Sequence, residues 1–224
     1  MAYTTIDNPE LYFQVKTYTG TGSSNAITLD GDEDMAPDLV WLKKRSATGG
    51  HYLTDTVRGA TKTIYPDGTD AEGTVAQALT AFGSDGFTVG TDTGINVSSG
   101  THVAWCWKES ATAGFDIVTY EGNASGGTHS HSLSAVPHFM IVKNIDAGDQ
   151  NWAVYHQSTG ESLYLVLDST AAQAHTDGYE RWNDTAPTSS VFSAGPSDTV
   201  DEDAHTHINY LWSEKQGFSK FGSY

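Results

Sequence analysis

Apolar residues recur along this chain with a period of two. Phe13, Val15 and Thr17 alternate with Gln14, Lys16 and Tyr18, and Val103, Trp105 and Trp107 alternate with His102, Ala104 and Cys106. Leu163, Leu165 and Leu167 do the same against Tyr164, Val166 and Asp168. Successive side chains of an extended chain leave opposite faces, so the alternation predicts strands. The runs are short, and clusters of Gly, Ser, Asn and Thr such as 20–25 and 122–127 separate them. That spacing predicts an all-β, sandwich-type fold, jelly-roll-like in the arrangement of its strands. Helix is expected at two places. Asp7-Asn8-Pro9-Glu10-Leu11 has the order of a capping box with Asp7 as N-cap, good for a helical turn. Thr74 to Phe82 sets Val75, Leu79 and Phe82 on one helical face.

The patterns also repeat. Thr101-His102-Val103-Ala104-Trp105-Cys106-Trp107 returns as Thr206-His207-Ile208-Asn209-Tyr210-Leu211-Trp212, 105 residues later. Pro37-Asp38-Leu39-Val40-Trp41-Leu42-Lys43 returns as Pro137-His138-Phe139-Met140-Ile141-Val142-Lys143, a shift of 100. Phe13, Tyr18 and Gly20 return as Phe115, Tyr120 and Gly122, a shift of 102. Three anchors in one order at nearly one spacing predict tandem β-sandwich modules. Their expected limits are 12–112 and 113–214, after a lead-in or attachment segment at 1–11. Gly217-Phe218 echoes Gly114-Phe115, so 215–224 reads either as the start of a third repeat or as a closing strand.

Charge narrows the classes of partner. The chain has 28 acidic against 11 basic residues, a net charge of −17, which leaves no basic stripe for phosphates. Nucleic acid and anionic membrane are therefore excluded as expected partners. No apolar run approaches the ~20 residues of a membrane span, and the first residues lack a signal peptide's basic and apolar regions. The lone cysteine, Cys106, excludes an intrachain disulfide. Between two tryptophans on an alternating strand it reads as a small buried hydrophobe rather than a nucleophile.

Four histidines and two tryptophans are the candidate site residues. His129-Ser130-His131 and His205-Thr206-His207 are both H-x-H, which on a strand turns two imidazoles to one face. In a trimer, three such pairs offer six nitrogens, an octahedral set for a transition metal. The competing reading is solvated or core histidines and no metal. Asp30-Gly31-Asp32-Glu33-Asp34 opens like an EF-hand, but Met35 and Trp41 stand where that loop needs Gly and Glu. Trp41, Trp105, Trp107 and Trp212 follow strand alternation, and some of them are expected in the core. Trp152 and Trp182, beside polar neighbours, are the expected exposed glycan contacts. No nucleophile elbow, phosphate loop or zinc-protease motif is present, so no enzyme and no cofactor are expected.

Several segments carry a resemblance. Tyr3-Thr4-Thr5-Ile6-Asp7-Asn8-Pro9, Asp55-Thr56-Val57-Arg58-Gly59-Ala60-Thr61-Lys62, Ser84-Asp85-Gly86-Phe87 and Asn151-Trp152-Ala153-Val154-Tyr155-His156 resemble stretches of marine bacteriophage virion structural proteins. Trp182-Asn183-Asp184-Thr185-Ala186-Pro187 continues the likeness, which covers nearly the whole chain. Asn209-Tyr210-Leu211-Trp212 departs from it. The resemblance implies a non-enzymatic, tail-fibre-like or other appendage protein located in the virion and made in the host cytoplasm. Its implied partners are other virion proteins, further copies of itself (a trimer if a fibre) and a host surface glycan. A capsid decoration protein is the alternative, and a carbohydrate-binding module or glycan depolymerase is the competitor of another class.

For a surface protein with this charge, added salt shortens the Debye length and relieves self-repulsion. The melting temperature is expected to rise with sodium chloride; a flat or falling dependence in a thermal melt contradicts this.

Overall fold

The computed structural model describes residues 4–172 and 180–223, together with the backbone of 174–175. The chain forms two compact units. The N-terminal unit comprises Asn8–Asp67 and Glu72–Glu109, and the C-terminal unit Met1–Asp7, Gly68–Ala71 and Ser110–Tyr224.

The N-terminal unit contains β1 (Phe13–Thr19), β2 (Asn25–Thr28), β3 (Leu39–Lys44), β4 (His51–Asp55), β5 (Lys62–Thr63), β6 (Gly73–Thr74), β7 (Leu79–Gly83), β8 (Gly86–Val89), the one-turn helix α1 (Thr93–Asn96) and β9 (Thr101–Trp107). One antiparallel sheet has the order β1-β9-β3-β4 and a second the order β2-β8-β7. Tyr18, Val40, Leu42, Ala104 and Cys106 of the first sheet form one buried cluster with Ile27, Leu79, Phe87 and Val89 of the second. The strand alternation seen in the sequence thus separates core from outer face. The expected helix at 74–82 is corrected: β6 and β7 occupy its ends, and a turn joins Ala78 N–H to the Val75 carbonyl at 2.9 Å. Nine residues are too few to hold a helix by propensity, and pairing of β7 with β8 across Ser84-Asp85 takes the segment into the sheet.

The C-terminal unit contains β10 (Phe115–Glu121), β11 (Gly127–Ser130), β12 (Phe139–Asn144), β13 (Ala153–His156), β14 (Leu163–Val166), β15 (Ala174–His175), β16 (Val191–Ala194), helix α2 (Asp198–Asp201) and β17 (Thr206–Trp212). Its sheet order β10-β17-β12-β13 reproduces β1-β9-β3-β4, with β14 and β15 added at the far edge. β11 pairs with β16. Tyr120, Met140, Val142, Tyr155, Trp182, Phe192 and Leu211 fill its core.

The equivalence extends to individual hydrogen bonds. Tyr18 Oη donates to the Ile95 carbonyl at 2.6 Å, and Tyr120 Oη to the Val200 carbonyl at 2.6 Å. A histidine ring stacks on each tyrosine: His102 on Tyr18 at 5.1 Å and His207 on Tyr120 at 5.3 Å. The residue that ends each short helix anchors the turn after the first strand. Asn96 accepts from Thr21 N–H and donates to Ser23 O, while Asp201 accepts from Asn123 N–H and Gly126 N–H. Gly20 and Gly122 sit where a Cβ would run into the Val97 and Glu202 carbonyls, so the close approach requires glycine at both.

Two terminal expectations change in detail. The N-terminal turn is a 3-10 helix, Pro9–Leu11, capped by Asn8 and not Asp7: Asn8 Oδ1 accepts Glu10 N–H at 3.0 Å. Glu10 does not return to the cap; its carboxylate accepts Asp32 N–H at 2.9 Å. Residues 213–223 form no strand. Lys215 bridges Ser219 as Ser110 bridges Phe115, and Phe221 stacks on Phe139 at 5.5 Å.

The Asp55–Arg58 motif is a buried staple. Arg58 Nε donates to Asp55 Oδ2 at 2.6 Å, Nη1 to Glu72 at 3.2 Å and Nη2 to the Leu53 carbonyl at 3.1 Å. The Asp55 side chain is 0% exposed. Removing one partner strands a buried charge. Arg58→Ala should cost about 3–5 kcal/mol, whereas Lys16→Ala, which breaks an ion pair to exposed Asp30, should cost under about 1 kcal/mol. Urea unfolding of the two variants checks the contrast.

Candidate functional site

β1 lies at the edge of its sheet, and its alternation turns Phe13 and Val15 away from the core. The register aligns Val15, Trp105, Trp41 and Leu53 in one row across the four strands, and Phe13, Trp107, Leu39 and Asp55 in the next. The rings pack laterally: Trp41 meets Trp105 at 6.5 Å and 74°, and Phe13 meets Trp107 at 5.0 Å. Trp41 Nε1 donates to His51 Nδ1 at 2.9 Å, which fixes the His51 proton on Nε2. Burial and Lys43 hold the His51 pKa below its usual value, against the opposing pull of Asp67. Leu39 and Leu53 are buried, but Trp41, Trp105, Trp107 and Phe13 are half-buried and Val15 is 49% exposed.

The same row of the C-terminal unit reads Ile117, Tyr210, Ile141 and Val154. All four are at most 6% exposed. One scaffold therefore buries this row in one unit and leaves it half open in the other. A contiguous, half-open apolar row on a sheet face is a candidate contact surface.

The tryptophan expectations are reversed. Trp152 and Trp182 are 0% and 1% exposed and offer no surface to a glycan. Trp152 Nε1 donates to the Gly68 carbonyl and Trp182 Nε1 to the Leu163 carbonyl, both at 3.1 Å. Their polar neighbours serve turns: Asn151 donates to Asp168, which also accepts Trp152 N–H. Trp41, Trp105, Trp107 and Trp212 lie on outer faces and not in the core, because Cys106, Ala104 and Leu211 take the inward positions.

The H-x-H pairs do not converge. His129 stacks on Tyr120 at 4.0 Å and His207 on the same tyrosine. His207 presents its ring nitrogens to the His205 and Asp198 carbonyls at 3.1 and 3.5 Å. His131 reaches the Thr188 carbonyl at 3.1 Å, and His205 pairs with Glu202 at 3.1 Å. Thus His129 and His207 share a tyrosine, and His131 and His205 lie elsewhere. Among the described residues, no group of three His, Cys, Asp or Glu is placed to hold a metal. Cys106 is buried, and burial pushes its thiol up to about 12.

Sequence reading missed two features here. The aromatic row was visible as alternation, but not which side faced the core. The tyrosine–histidine stacks had no local signature, since their partners lie 84 and 87 residues apart.

Residues 8–224 match the family model of a domain of unknown function, DUF7483. No curated protein matches the chain, and no solved structure does.

Two buried histidines and one half-buried histidine make stability depend on pH. Burial lowers the pKa of His102, aided by Lys44, and of His129 and His207, where Asp201 opposes it. Below the ordinary value of 6.5 the unfolded chain takes up protons that the folded rings resist. Stability is therefore full above that value and falls with acid, by up to about 1.4 kcal/mol per pH unit for each histidine. Denaturant unfolding from about pH 7.5 to 5.5, above the carboxylate range, should show this slope, and His102→Phe, which keeps a ring on Tyr18, should reduce it.

Proposed function

The chain belongs to the DUF7483 family, a domain of unknown function, and from that premise we propose that it is a non-enzymatic structural protein of a bacteriophage virion. Its role is that of a tail-fibre-like or other surface appendage, working through multivalent protein contacts. The half-open row Val15–Trp105–Trp41 carries this reading. A sheet face of this kind gains by burial against a partner, at roughly 25 cal/mol per Å² of apolar surface. Many copies on one particle multiply a weak contact into a firm one.

Two further observations support a protein partner. The indoles of Trp41 and Trp105 stand edge to face at 74°, a surface for interdigitating side chains rather than a flat shelf for a sugar ring. The outward positions of this sheet carry Lys43 and no acid except Asp55, whose charge is held by Arg58. In a chain of net charge −17, such a face is where another acidic protein meets the least repulsion. The resemblance of its motifs to marine bacteriophage structural proteins supports a location in the virion. Other virion proteins and further copies of the chain are then its partners.

The decisive measurement is peptide mass spectrometry of purified particles from a phage encoding the chain. The protein is expected at many copies per particle, and its absence overturns the proposal. Val15→Glu changes an exposed position and should cost under about 0.5 kcal/mol of stability. The same change should reduce incorporation about tenfold or more, as expected at the centre of an apolar contact.

A further inference from the structure

The outward hydrogen-bond donors of the two units differ in what they hold. Gly68–Ala71 is part of the C-terminal unit, where Trp152 Nε1 donates to the Gly68 carbonyl at 3.1 Å and Lys143 Nζ to the Thr69 carbonyl at 2.9 Å. Both donor residues are 0% exposed. Two side chains thus seat two successive carbonyls of one loop.

The N-terminal unit carries the equivalent pair of donors. Lys43 corresponds to Lys143 and His51 to Trp152, at shifts of 100 and 101. Lys143 donates also to the Gln150 carbonyl, and Lys43 to the Gly49 carbonyl at the equivalent place. Lys43 and His51 are register partners. Trp41 leaves the His51 proton on Nε2, so this ring offers an N–H where Trp152 offers its own. Both residues are half-buried. Among the described residues, Lys43 donates to Gly49 alone, and His51 Nε2 donates to no loop carbonyl.

The matching loop is present as well. Asp67-Gly68-Thr69 returns as Asp168-Ser169-Thr170, a shift of 101. One hydrogen bond anchors both loops: Asp67 Oδ1 accepts His51 N–H and Asp168 Oδ1 accepts Trp152 N–H, each at 3.0 Å. Ser169 and Thr170 are exposed, and their carbonyls accept from no backbone N–H among the described residues. Each chain therefore has one loop seated on its donors, a second pair of donors and a second loop.

We infer that the second loop of one copy docks on the second pair of donors of another. The Ser169 and Thr170 carbonyls meet His51 Nε2–H and Lys43 Nζ, and the chain self-associates head to tail. Such a contact joins two different surfaces, so it repeats into a closed ring or an open row. The inference rests on the reading of the aromatic row as a contact face, which Trp41 shares with His51, and not on the virion location. Mass spectrometry of particles tests the location, self-association of the purified chain tests the contact, and either can fail alone.

The experiment is sedimentation velocity of the purified full chain up to about 1 mM, because contacts this small are weak. Salt is added to screen the net charge of −17. The native chain is expected to associate as its concentration rises. Lys43→Gln removes a donor, and Thr170→Arg sets a cation against Lys43. Each should move the association midpoint at least about tenfold higher. A mixture of the two variants retains one intact pairing, native loop on native donors, and should form dimers that neither variant forms alone at that concentration. A native chain monomeric throughout overturns the inference, and so does Thr170→Arg associating as the native chain does. A mixture that associates no better than its components overturns it too. Thr170 is exposed, so its variant keeps the fold; should Lys43→Gln lose it in a thermal melt, the native and Thr170→Arg series decide without it.

Discussion

Both units depend on a buried tyrosine hydroxyl that donates to the carbonyl near the end of a one-turn helix. Such a helix has no stability of its own, because it forms too few internal hydrogen bonds to offset nucleation. Tyr18 and Tyr120 fix it from the sheet side at 2.6 Å, and the helix in turn offers Asn96 or Asp201 to the backbone of the turn leaving the first strand. Breaking the tyrosine bond releases the helix, the turn and the ring stacked above it together. An unmade bond at such a buried site costs the full desolvation of the orphaned group. The edge strand and the strand beside it are thus held by more than their ladder.

This hub explains why the histidines serve structure. A ring at position 102 or 207 packs flat on the tyrosine and seals the hydroxyl from water. The neutral form suits that role, and burial favours it. Among the described residues His102 has no partner for either ring nitrogen, while His207 faces two carbonyl oxygens. The stack is common to both units, and the polar satisfaction around it is not.

Much of the fold was legible because strand alternation and repetition are local signals. Phe13 to Tyr18 and Val103 to Trp107 form strands where the pattern put them, and the three repeated anchors fall on equivalent strands. What stayed hidden depends on contacts far apart in the chain. Alternation cannot say which of two faces is inward, so some of the strand tryptophans were expected in a core that Cys106 and Ala104 occupy. Polar neighbours suggested exposure for Trp152 and Trp182, although those neighbours close turns over buried indoles. Val75, Leu79 and Phe82 satisfied a helical period over too short a span to outweigh pairing with β8.

Comparing the two units separates scaffold from surface without any other sequence. The tyrosine, the stacked histidine, the close-approach glycine and the helix-ending anchor occupy the same places in both. Gln14 and Asp116 differ in type yet do one job, each accepting a backbone N–H from the loop after the next strand in sequence. The outward row changes in character: Val15, Trp105 and Trp41 against Ile117, Tyr210 and Ile141. Nothing in the hub requires that change, since these side chains point away from it. Two units under the same folding constraint would be free to share an outer row, so its divergence is not imposed by the hub. In the C-terminal unit that row is already buried, whereas in the N-terminal unit the tryptophans remain half open. The half-open surface therefore lies where the repeat is least faithful.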